Sequence, residues 1–444
     1  MRLDFFGHSS WLFEAAGLRL LFDPLLFERH AGGVFSVMPA RRIEPADLRA
    51  DFCLVSHVHF DHFDVASLAA LARHDPETVL VTSDPLVARA SEIVGFHTVR
   101  LVEPGTRVEL DEVTLTMTPS RAPDVEWGTI VEDSSGVAWN LIDTVFHSPF
   151  DVRTVRQTAL GDRAIDLALV PIQPMREIAL ATADHVGFVT SDYGHFLGCA
   201  AATGAKTLSP CASGERFAEP YSAMNHLVYP VSRTRAARDL ARYAPSQRVL
   251  VPAVGESLVL EGSDVSIAPG TIPLHVSGAF DPRPFRPLEL APMFDPNLDD
   301  RPLSEIREGC LRFCRDVLAP AIARELSSPV FAGLSLVLEI VLSDGAHLAL
   351  TFDTKGNVTE RGDDEYDVLV MVAGSMLLDV IEGRRGWVEP LLAGLLRSSV
   401  RGALVDPERV SPLPVAPMFP YYAISYRESI ERATLARAEA LARA

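Results

Sequence analysis

Four side chains that bind metal ions in proteins occur within six consecutive residues. They are His57, His59, Asp61 and His62. The apolar run Asp51–Ser56 directly before them predicts a strand buried on both faces. Because residues two apart in extended backbone point the same way, His57 and His59 can bind one ion together. The chain then turns toward a helix that begins after Asp64, which brings Asp61 and His62 to a second position nearby. So dense a grouping rarely arises by chance, and it predicts a metal site.

The surrounding elements follow an α/β pattern. The chain opens with a predicted hairpin, whose strand-like runs are Leu3–Phe6, Trp11–Glu14 and Leu18–Phe22. Further strand-like runs are interleaved with helical stretches up to about residue 250. No glycine-rich phosphate loop accompanies them. The pattern predicts a layered α/β domain that presents the histidines at the end of a strand.

Composition changes after residue 268. The stretch 269–302 holds eight prolines in thirty-four residues, which indicates a linker or strap without regular structure. Beyond it, Leu303–Leu326 is amphipathic, with a break expected at Pro320. Later apolar runs predict a small α+β unit. We therefore predict a metal-binding domain at 1–268, a linker at 269–302 and a C-terminal domain at 303–444.

The HxHxDH signature resembles the metallo-β-lactamase superfamily, which implies a four-layer αβ/βα sandwich with metals at one edge of two facing sheets. Gly7–Ser10 and Leu20–Pro24 look like the start of its ascorbate-6-phosphate lactonase branch. Within that branch, the chain is most similar to the metallo-β-lactamase-like part of CMP-N-acetylneuraminate hydroxylase. The supporting stretches are 123–132, 140–143, 209–214 and 365–370. The C-terminal unit resembles sterol-carrier-like domains.

This resemblance implies a site for two metal ions and a carboxylate shared between them, here Asp143. Zinc hydrolases of the fold place a third histidine where this chain has Pro119–Trp127, which contains no histidine and offers Asp124 and Glu126. The implied ligands are therefore His57, His59 and Glu126 for one ion, and Asp61, His62 and Asp143 for the other. Asp61 is also the implied catalytic residue.

A last histidine ligand is also missing, because Cys211 and Ala212 stand where hydrolases of the fold carry it. His185, His195 or His226 could replace it from nearby loops, or nothing does. Cys211 itself is expected to be a small buried residue rather than a ligand. His8 is expected to brace the opening hairpin rather than to bind metal.

Two enzyme classes fit this ligand set. A carboxylate in place of imidazole adds negative charge and favours iron, which predicts a di-iron oxygenase or hydroxylase acting on a small organic substrate. Since the chain has no CxH and CxxH pairs for a Rieske cluster, such an enzyme would take its electrons from an external donor or from the substrate. The alternative is a lactonase- or phosphodiesterase-type hydrolase with zinc or manganese. The third hypothesis is a site that has lost its catalytic activity, in a protein that serves as a binding module or as a subunit of a complex.

Composition limits the classes of partner and the cellular compartment that we expect. The formal net charge of −19 and the absence of a basic run argue against nucleic acid. Five scattered cysteines favour a reducing cytoplasm over a disulfide framework. Neither a signal peptide nor a membrane-spanning segment is expected. The C-terminal unit is expected to cover the metal site or to form a homodimer, with a packing role as the alternative.

Overall fold

The computed structural model describes residues 1–122, 125–171, 188, 190–225, 231–277, 292–327, 334–360, 366–400, 403–405, 410–412 and 419–444. These residues form two compact units. The first draws on Met1–Met175, Phe188–Arg286 and Ala438–Ala444, and the second on Pro287–Arg437. The domain boundaries at 268 and 302 remain a prediction.

Two β-sheets form the centre of the first unit. The described strands of the first sheet are, in spatial order, Asp264–Pro269, Glu256–Glu261, Arg2–Gly7, Ser10–Ala15, Leu18–Phe22, Phe52–Val55, Val79–Thr82 and Val99–Leu101. Those of the second are Arg107–Leu110, Val113–Pro119, Trp127–Asp133, Gly136–Asn140, Leu167–Pro171, Thr207–Cys211 and Arg248–Val249.

The two sheets pack face to face, with helices on both outer sides. Large apolar side chains from both sheets, including Trp11, Phe22 and Trp127, fill the space between them. Helices α1 (Val65–His74) and α2 (Pro85–Val94) cover the outer face of the first sheet. The second sheet is covered by α3 (Pro149–Leu160), α4 (Thr190–Ala202) and α5 (Arg233–Tyr243). The layer order is helix, sheet, sheet, helix, as the resemblance implies.

Parallel pairing gathers loops at one edge of each sheet. Leu18–Phe22 pairs in parallel with Phe52–Val55, so the residues that follow these strands emerge side by side. In the second sheet Gly136–Asn140, Leu167–Pro171 and Thr207–Cys211 are likewise parallel neighbours. The carboxyl ends of such strands are the usual place for a site in open α/β sheets.

Small sheets complete the first unit. Arg29–His30, Phe35–Val37 and Glu215–Phe217 form a three-stranded antiparallel sheet. His275–Val276 pairs with Arg41–Arg42. This pair corrects the expectation that 269–302 lacks regular structure, because residues 274–277 contain no proline and their backbone N–H groups can take part in pairing.

The second unit contains a five-stranded mixed sheet. Its described strands are, in spatial order, Val358–Glu360, His347–Phe352, Leu336–Val341, Val368–Ala373 and Leu396–Val400, and Ala403–Val405 pairs with Val410–Pro412 apart from it. The helices are α6 (Leu303–Phe313), α7 (Ala319–Leu326), α8 (Gly374–Ile381), α9 (Val388–Leu392) and α10 (Tyr426–Arg443), the last continuing into the residues from Ala438 that group with the first unit.

The predicted break in the first helix of this unit is confirmed. A π-helical turn at Cys314–Leu318 separates α6 from α7, and Pro320 lies in the first turn of α7. Proline supplies no N–H and its ring crowds the preceding turn, so the helix widens there. The sterol-carrier-like character of the unit remains a prediction. Among the described residues, no helix is both long and apolar enough to cross a bilayer.

Candidate metal centre

A buried carboxylate holds the histidine loop in place. Asp23 directly follows the strand Leu18–Phe22, and parallel pairing sets it beside Ser56 at the end of Phe52–Val55. Its Oδ1 accepts the Ser56 N–H at 2.8 Å, and its Oδ2 accepts the Ser56 hydroxyl at 2.9 Å. The Asp23 carboxylate is completely buried, so these hydrogen bonds are not weakened by competing water.

Asp23 also fixes the orientation of His62. Its Oδ2 accepts a hydrogen bond from His62 Nδ1 at 2.9 Å, which places the ring proton on Nδ1. His62 Nε2 is buried and makes no hydrogen bond to a described residue. It lies 3.3 Å from Asp61 Oδ2 and 3.5 Å from Asp143 Oδ2. A bare imidazole nitrogen facing two carboxylates is the arrangement that a metal ion satisfies.

The Ser56 hydroxyl orients His57 in the same way. Since its single hydrogen goes to Asp23, the hydroxyl oxygen accepts from His57 Nδ1 at 2.8 Å. His57 Nε2 is therefore unprotonated, and it lies 2.9 Å from His59 Nδ1. Burial, followed by the neighbouring His62 and His59 rings, lowers the pKa of His57 well below its ordinary value. The neutral ring is the form that binds metal.

Asp61 lies between two imidazoles. Its Oδ2 is 3.0 Å from His8 Nε2, as well as 3.3 Å from His62 Nε2. Burial alone would raise the pKa of Asp61, but His62 and then His8 hold it well below the ordinary value. Conversely, burial opposes charge on His62, yet Asp61, Asp143 and Asp23 raise its pKa well above the ordinary value. A metal ion and a proton therefore compete for His62 Nε2.

Asp143 reaches the cluster from the second sheet. It follows the strand Gly136–Asn140 by a turn in which Ile142 has a φ of +56°. Ligand atoms of His57, His62 and Asp143 all lie within 4.8 Å of one another, and so do those of His8, Asp61 and His62. Four of the six predicted ligands, His57, Asp61, His62 and Asp143, belong to these two clusters, and His59 lies beside them through its contact with His57.

The sixth predicted ligand, Glu126, lies beside this group but is not part of those two clusters. It is buried directly before the strand Trp127–Asp133, and its Oε1 accepts the Ser120 hydroxyl and, at 3.1 Å, the Val145 N–H. Burial, together with the Asp143 charge, raises the pKa of Glu126 against the effect of these hydrogen bonds. Its role as a ligand remains a prediction.

The replacements considered for the missing last histidine are not found among the described residues of the cluster. His195 is on α4, where its Nε2 lies 2.8 Å from the Phe146 carbonyl oxygen. His185 and His226 lie outside the described residues, as does Asp124. Cys211 is buried in the core between the sheets, and burial raises the pKa of its thiol. It is a small core residue, as expected.

The donor set fits metal ions. Two ligand atoms on one ion are at most about 4.2 Å apart, twice a bond length of about 2.1 Å. The His57–His59 pair at 2.9 Å, His62–Asp61 at 3.3 Å and His62–Asp143 at 3.5 Å all meet this limit. Imidazole nitrogen with carboxylate oxygen suits zinc, iron or manganese and does not choose among them.

Comparison with known proteins agrees with this geometry. Residues 2–183 match the family described as a β-lactamase superfamily domain. A metal-dependent hydrolase of Salinibacter ruber, of the UPF0173 group, is 30% identical over 185 residues, which cover 39% of this chain and 72% of that protein. The chain belongs to the metallo-β-lactamase superfamily.

Two solved structures are similar to this chain at low sequence identity. An isothiocyanate hydrolase from Delia radicum gut bacteria is 17% identical, with 59% of this chain and all of that chain covered and a TM-score of 0.41. CmlA, a di-iron β-hydroxylase from Streptomyces venezuelae, is 14% identical, with 59% and 54% covered and a TM-score of 0.40. Neither likeness bears on this chain's activity. The narrower resemblance to CMP-N-acetylneuraminate hydroxylase remains a prediction.

Three residues of the candidate metal centre have contacts that the sequence did not predict. Asp23 and Ser56 orient His62 and His57, and His8, which lies in the turn of the opening hairpin, contacts Asp61. The sequence contained one signal for Asp23, which directly follows the apolar strand Leu18–Phe22 and lies in the Leu20–Pro24 motif that carried the resemblance. The contacts themselves depend on strand pairing, which the sequence does not specify.

Proposed function

We propose that this protein is a metal-dependent hydrolase that cleaves an ester, amide or phosphate bond in a small molecule. The observation that carries the proposal is His62: its Nδ1–H is donated to Asp23, while its buried Nε2 faces Asp61 and Asp143. The similarity to a protein named as a metal-dependent hydrolase supports the same class.

The chain's own residues have separable tasks in this proposal. His57, His59, Asp61, His62 and Asp143 would hold the ions, and Asp61, with its depressed pKa, would also orient a water molecule as a carboxylate. Bound ions would lower the pKa of that water and polarise the bond to be cleaved. The protein's contribution is to fix the rings of His62 and His57, through Asp23 and Ser56, so that each presents Nε2 to the site.

The test is hydrolysis by protein reconstituted separately with zinc, manganese and ferrous iron. Substrates would be a nitrophenyl ester, a lactone and a nitrophenyl phosphodiester. We expect turnover with at least one ion, abolished in His57→Ala and retained in His97→Ala. His97 is an exposed histidine paired with Glu77, so it controls for the loss of an imidazole. Equal rates in both variants would contradict the proposal.

A second candidate is a di-iron oxygenase that hydroxylates a small organic substrate with electrons from an external donor. The observation that favours it is Glu126, a buried carboxylate next to Asp143 where a histidine would suit zinc better. Purification in air with analysis of bound metal separates the two candidates. About two irons per chain with a ferric absorption band favour the oxygenase, and zinc or manganese favours the hydrolase.

Glu126 can be tested on its own within this second candidate. We expect Glu126→His to shift the bound metal from iron toward zinc, because neutral imidazole replaces an anionic oxygen. Ser120→Ala serves as the matched control, since it removes a hydrogen bond to the same carboxylate and no candidate ligand atom. An unchanged metal profile in Glu126→His would remove Glu126 from the ligand set.

A further inference from the structure

His8 is buried beside the candidate metal centre and has two possible roles there. Its Nε2 lies 3.0 Å from Asp61 Oδ2, and its ring centre is 5.3 Å from that of His62. At these distances His8 could be a metal ligand through Nε2, in place of the missing last histidine. Alternatively, it could carry a proton on Nε2 and donate a hydrogen bond to Asp61.

The other ring nitrogen distinguishes these roles. The backbone N–H of Gly214 is directed at His8 Nδ1, with a nitrogen-to-nitrogen distance of 3.3 Å. A backbone N–H can only donate, so Nδ1 must accept and carries no proton. A neutral imidazole has one N–H, which is then on Nε2 and points at Asp61. A ring that accepted at Nδ1 and bound metal at Nε2 would have lost both protons.

The loop after strand Thr207–Cys211 is shaped around His8. The Ala212 N–H donates to the His8 carbonyl oxygen at 3.2 Å. A β-carbon on residue 214 would lie 2.8 Å from the His8 backbone nitrogen, so only glycine allows this approach. The segment that carries a ligand histidine in hydrolases of the fold, as the resemblance implied, here holds the backbone of His8 instead.

We infer that His8 is a positioning residue, which donates a hydrogen bond from Nε2 to Asp61 and does not bind the metal ions. Asp61 Oδ2 has room for both contacts, because a carboxylate oxygen accepts at one lone pair while the other faces His62 Nε2 at 3.3 Å. The hydrogen bond holds Asp61 in one orientation. This inference rests on the proposed metal centre for its function, but the tautomer of His8 can be measured without it.

Nitrogen NMR of the full-length chain tests the inference directly. The histidine rings are labelled with ¹⁵N, and the His8 signals are assigned by their loss in His8→Gln. In the metal-free protein we expect a protonated Nε2 and an unprotonated Nδ1 at His8. In protein loaded with ¹¹³Cd, a cadmium–nitrogen coupling is expected at His57, His59 and His62 and not at His8.

The outcomes distinguish the inference about His8 from the proposal of a metal centre. A cadmium coupling at His8, or a proton on its Nδ1, overturns the inference and leaves the metal centre intact. If no histidine couples to cadmium, the proposed centre fails, while the His8 tautomer still decides whether it donates to Asp61. The expected pattern supports both.

A pair of variants provides an independent check through metal affinity. Glutamine can accept from Gly214 and donate to Asp61 but is a poor ligand, whereas glutamate can bind metal but cannot donate when ionised. We expect His8→Gln to keep zinc affinity within about threefold and His8→Glu to lose about 10- to 100-fold, the usual cost of disturbing a partner of a ligand. The reverse order would overturn the inference. His97→Gln is the control, with unchanged affinity expected.

Discussion

Asp23→Asn should weaken metal binding without changing any metal ligand. The new side chain would keep an oxygen for the Ser56 N–H, but an amide nitrogen would replace the Oδ2 that now accepts from the Ser56 hydroxyl and from His62 Nδ1, both at 2.9 Å. Donor would then face donor. His62 can relieve this only by moving its proton to Nε2, the atom that faces Asp61 and Asp143.

The size of the effect follows from the loss of a partner that orients two ligands. Such losses cost about 10- to 100-fold in metal affinity, or about 1.4 to 2.8 kcal/mol. We expect the upper part of this range, because Asp23 acts on His62 directly and on His57 through Ser56. The measurement is a competitive zinc titration with a chromophoric chelator, at the same pH of about 7.5 for every variant because a proton competes with zinc at His62.

Asp84→Asn is the matched control. Asp84 is also a buried carboxylate near the first sheet, and its Oδ1 accepts the Leu86 and Val87 N–H groups at the start of α2. Asparagine caps helices about as well as aspartate, so this variant should bind zinc as the unmodified protein does. If a folded Asp23→Asn protein also binds zinc with unchanged affinity, the assignment of Asp23 as the residue that orients the ligands is refuted.

Further predictions concern pH and stability. Zinc affinity should fall as pH decreases, by up to about tenfold per unit for each proton displaced, because Asp61 and its neighbours outweigh burial and raise the pKa of His62; an affinity that stays constant between about pH 5 and pH 8 would contradict this. Burial, partly offset by Arg385, raises the pKa of Glu389 to about 7 from its ordinary 4.5. Because the pKa is higher in the folded state, the contribution of this carboxyl group to the free energy of unfolding is fully present below about pH 4.5 and is lost as pH rises to about 7. Glu389→Gln should therefore stabilise the protein by about 3 kcal/mol at about pH 8 and by little at about pH 4.5, as measured by urea unfolding at both pH values. If Glu389→Gln changed the free energy of unfolding equally at both pH values, the raised pKa of Glu389 would not be the cause. Trp387→Ala should cost about 3 to 5 kcal/mol, because the ring is fully buried and its Nε1–H donates to the Ile424 carbonyl at 2.9 Å; a loss below about 1 kcal/mol in thermal unfolding would show that the second unit's core does not depend on it.

Local patterns in the sequence predict much of the first unit. The alternating runs at the start correspond to strands Arg2–Gly7, Ser10–Ala15 and Leu18–Phe22. The helix expected after Asp64 begins at Val65, and the Asp64 side chain accepts the Ser67 N–H. These features depend on residues close in the chain, so periodicity and capping suffice to predict them.

Features that depend on distant pairing could not be predicted. Asp23 meets His62 because two strands pair in parallel, and His8 meets Gly214 from positions 206 residues apart. The strand at His275–Val276 exists only because Arg41–Arg42 lies next to it. The histidine grouping predicts that metal binds, but the choice of tautomer at each ring is decided by hydrogen bonds from elsewhere in the fold.

The central claim is that His57, His59, Asp61, His62 and Asp143 hold metal ions. Metal analysis of the reconstituted protein, combined with X-ray absorption spectroscopy of the bound ion, tests it most directly. We predict one or two ions per chain, with at least two imidazole nitrogens and carboxylate oxygen in the coordination shell. Protein that stays metal-free after complete loading, or an ion without imidazole ligands, would contradict the claim.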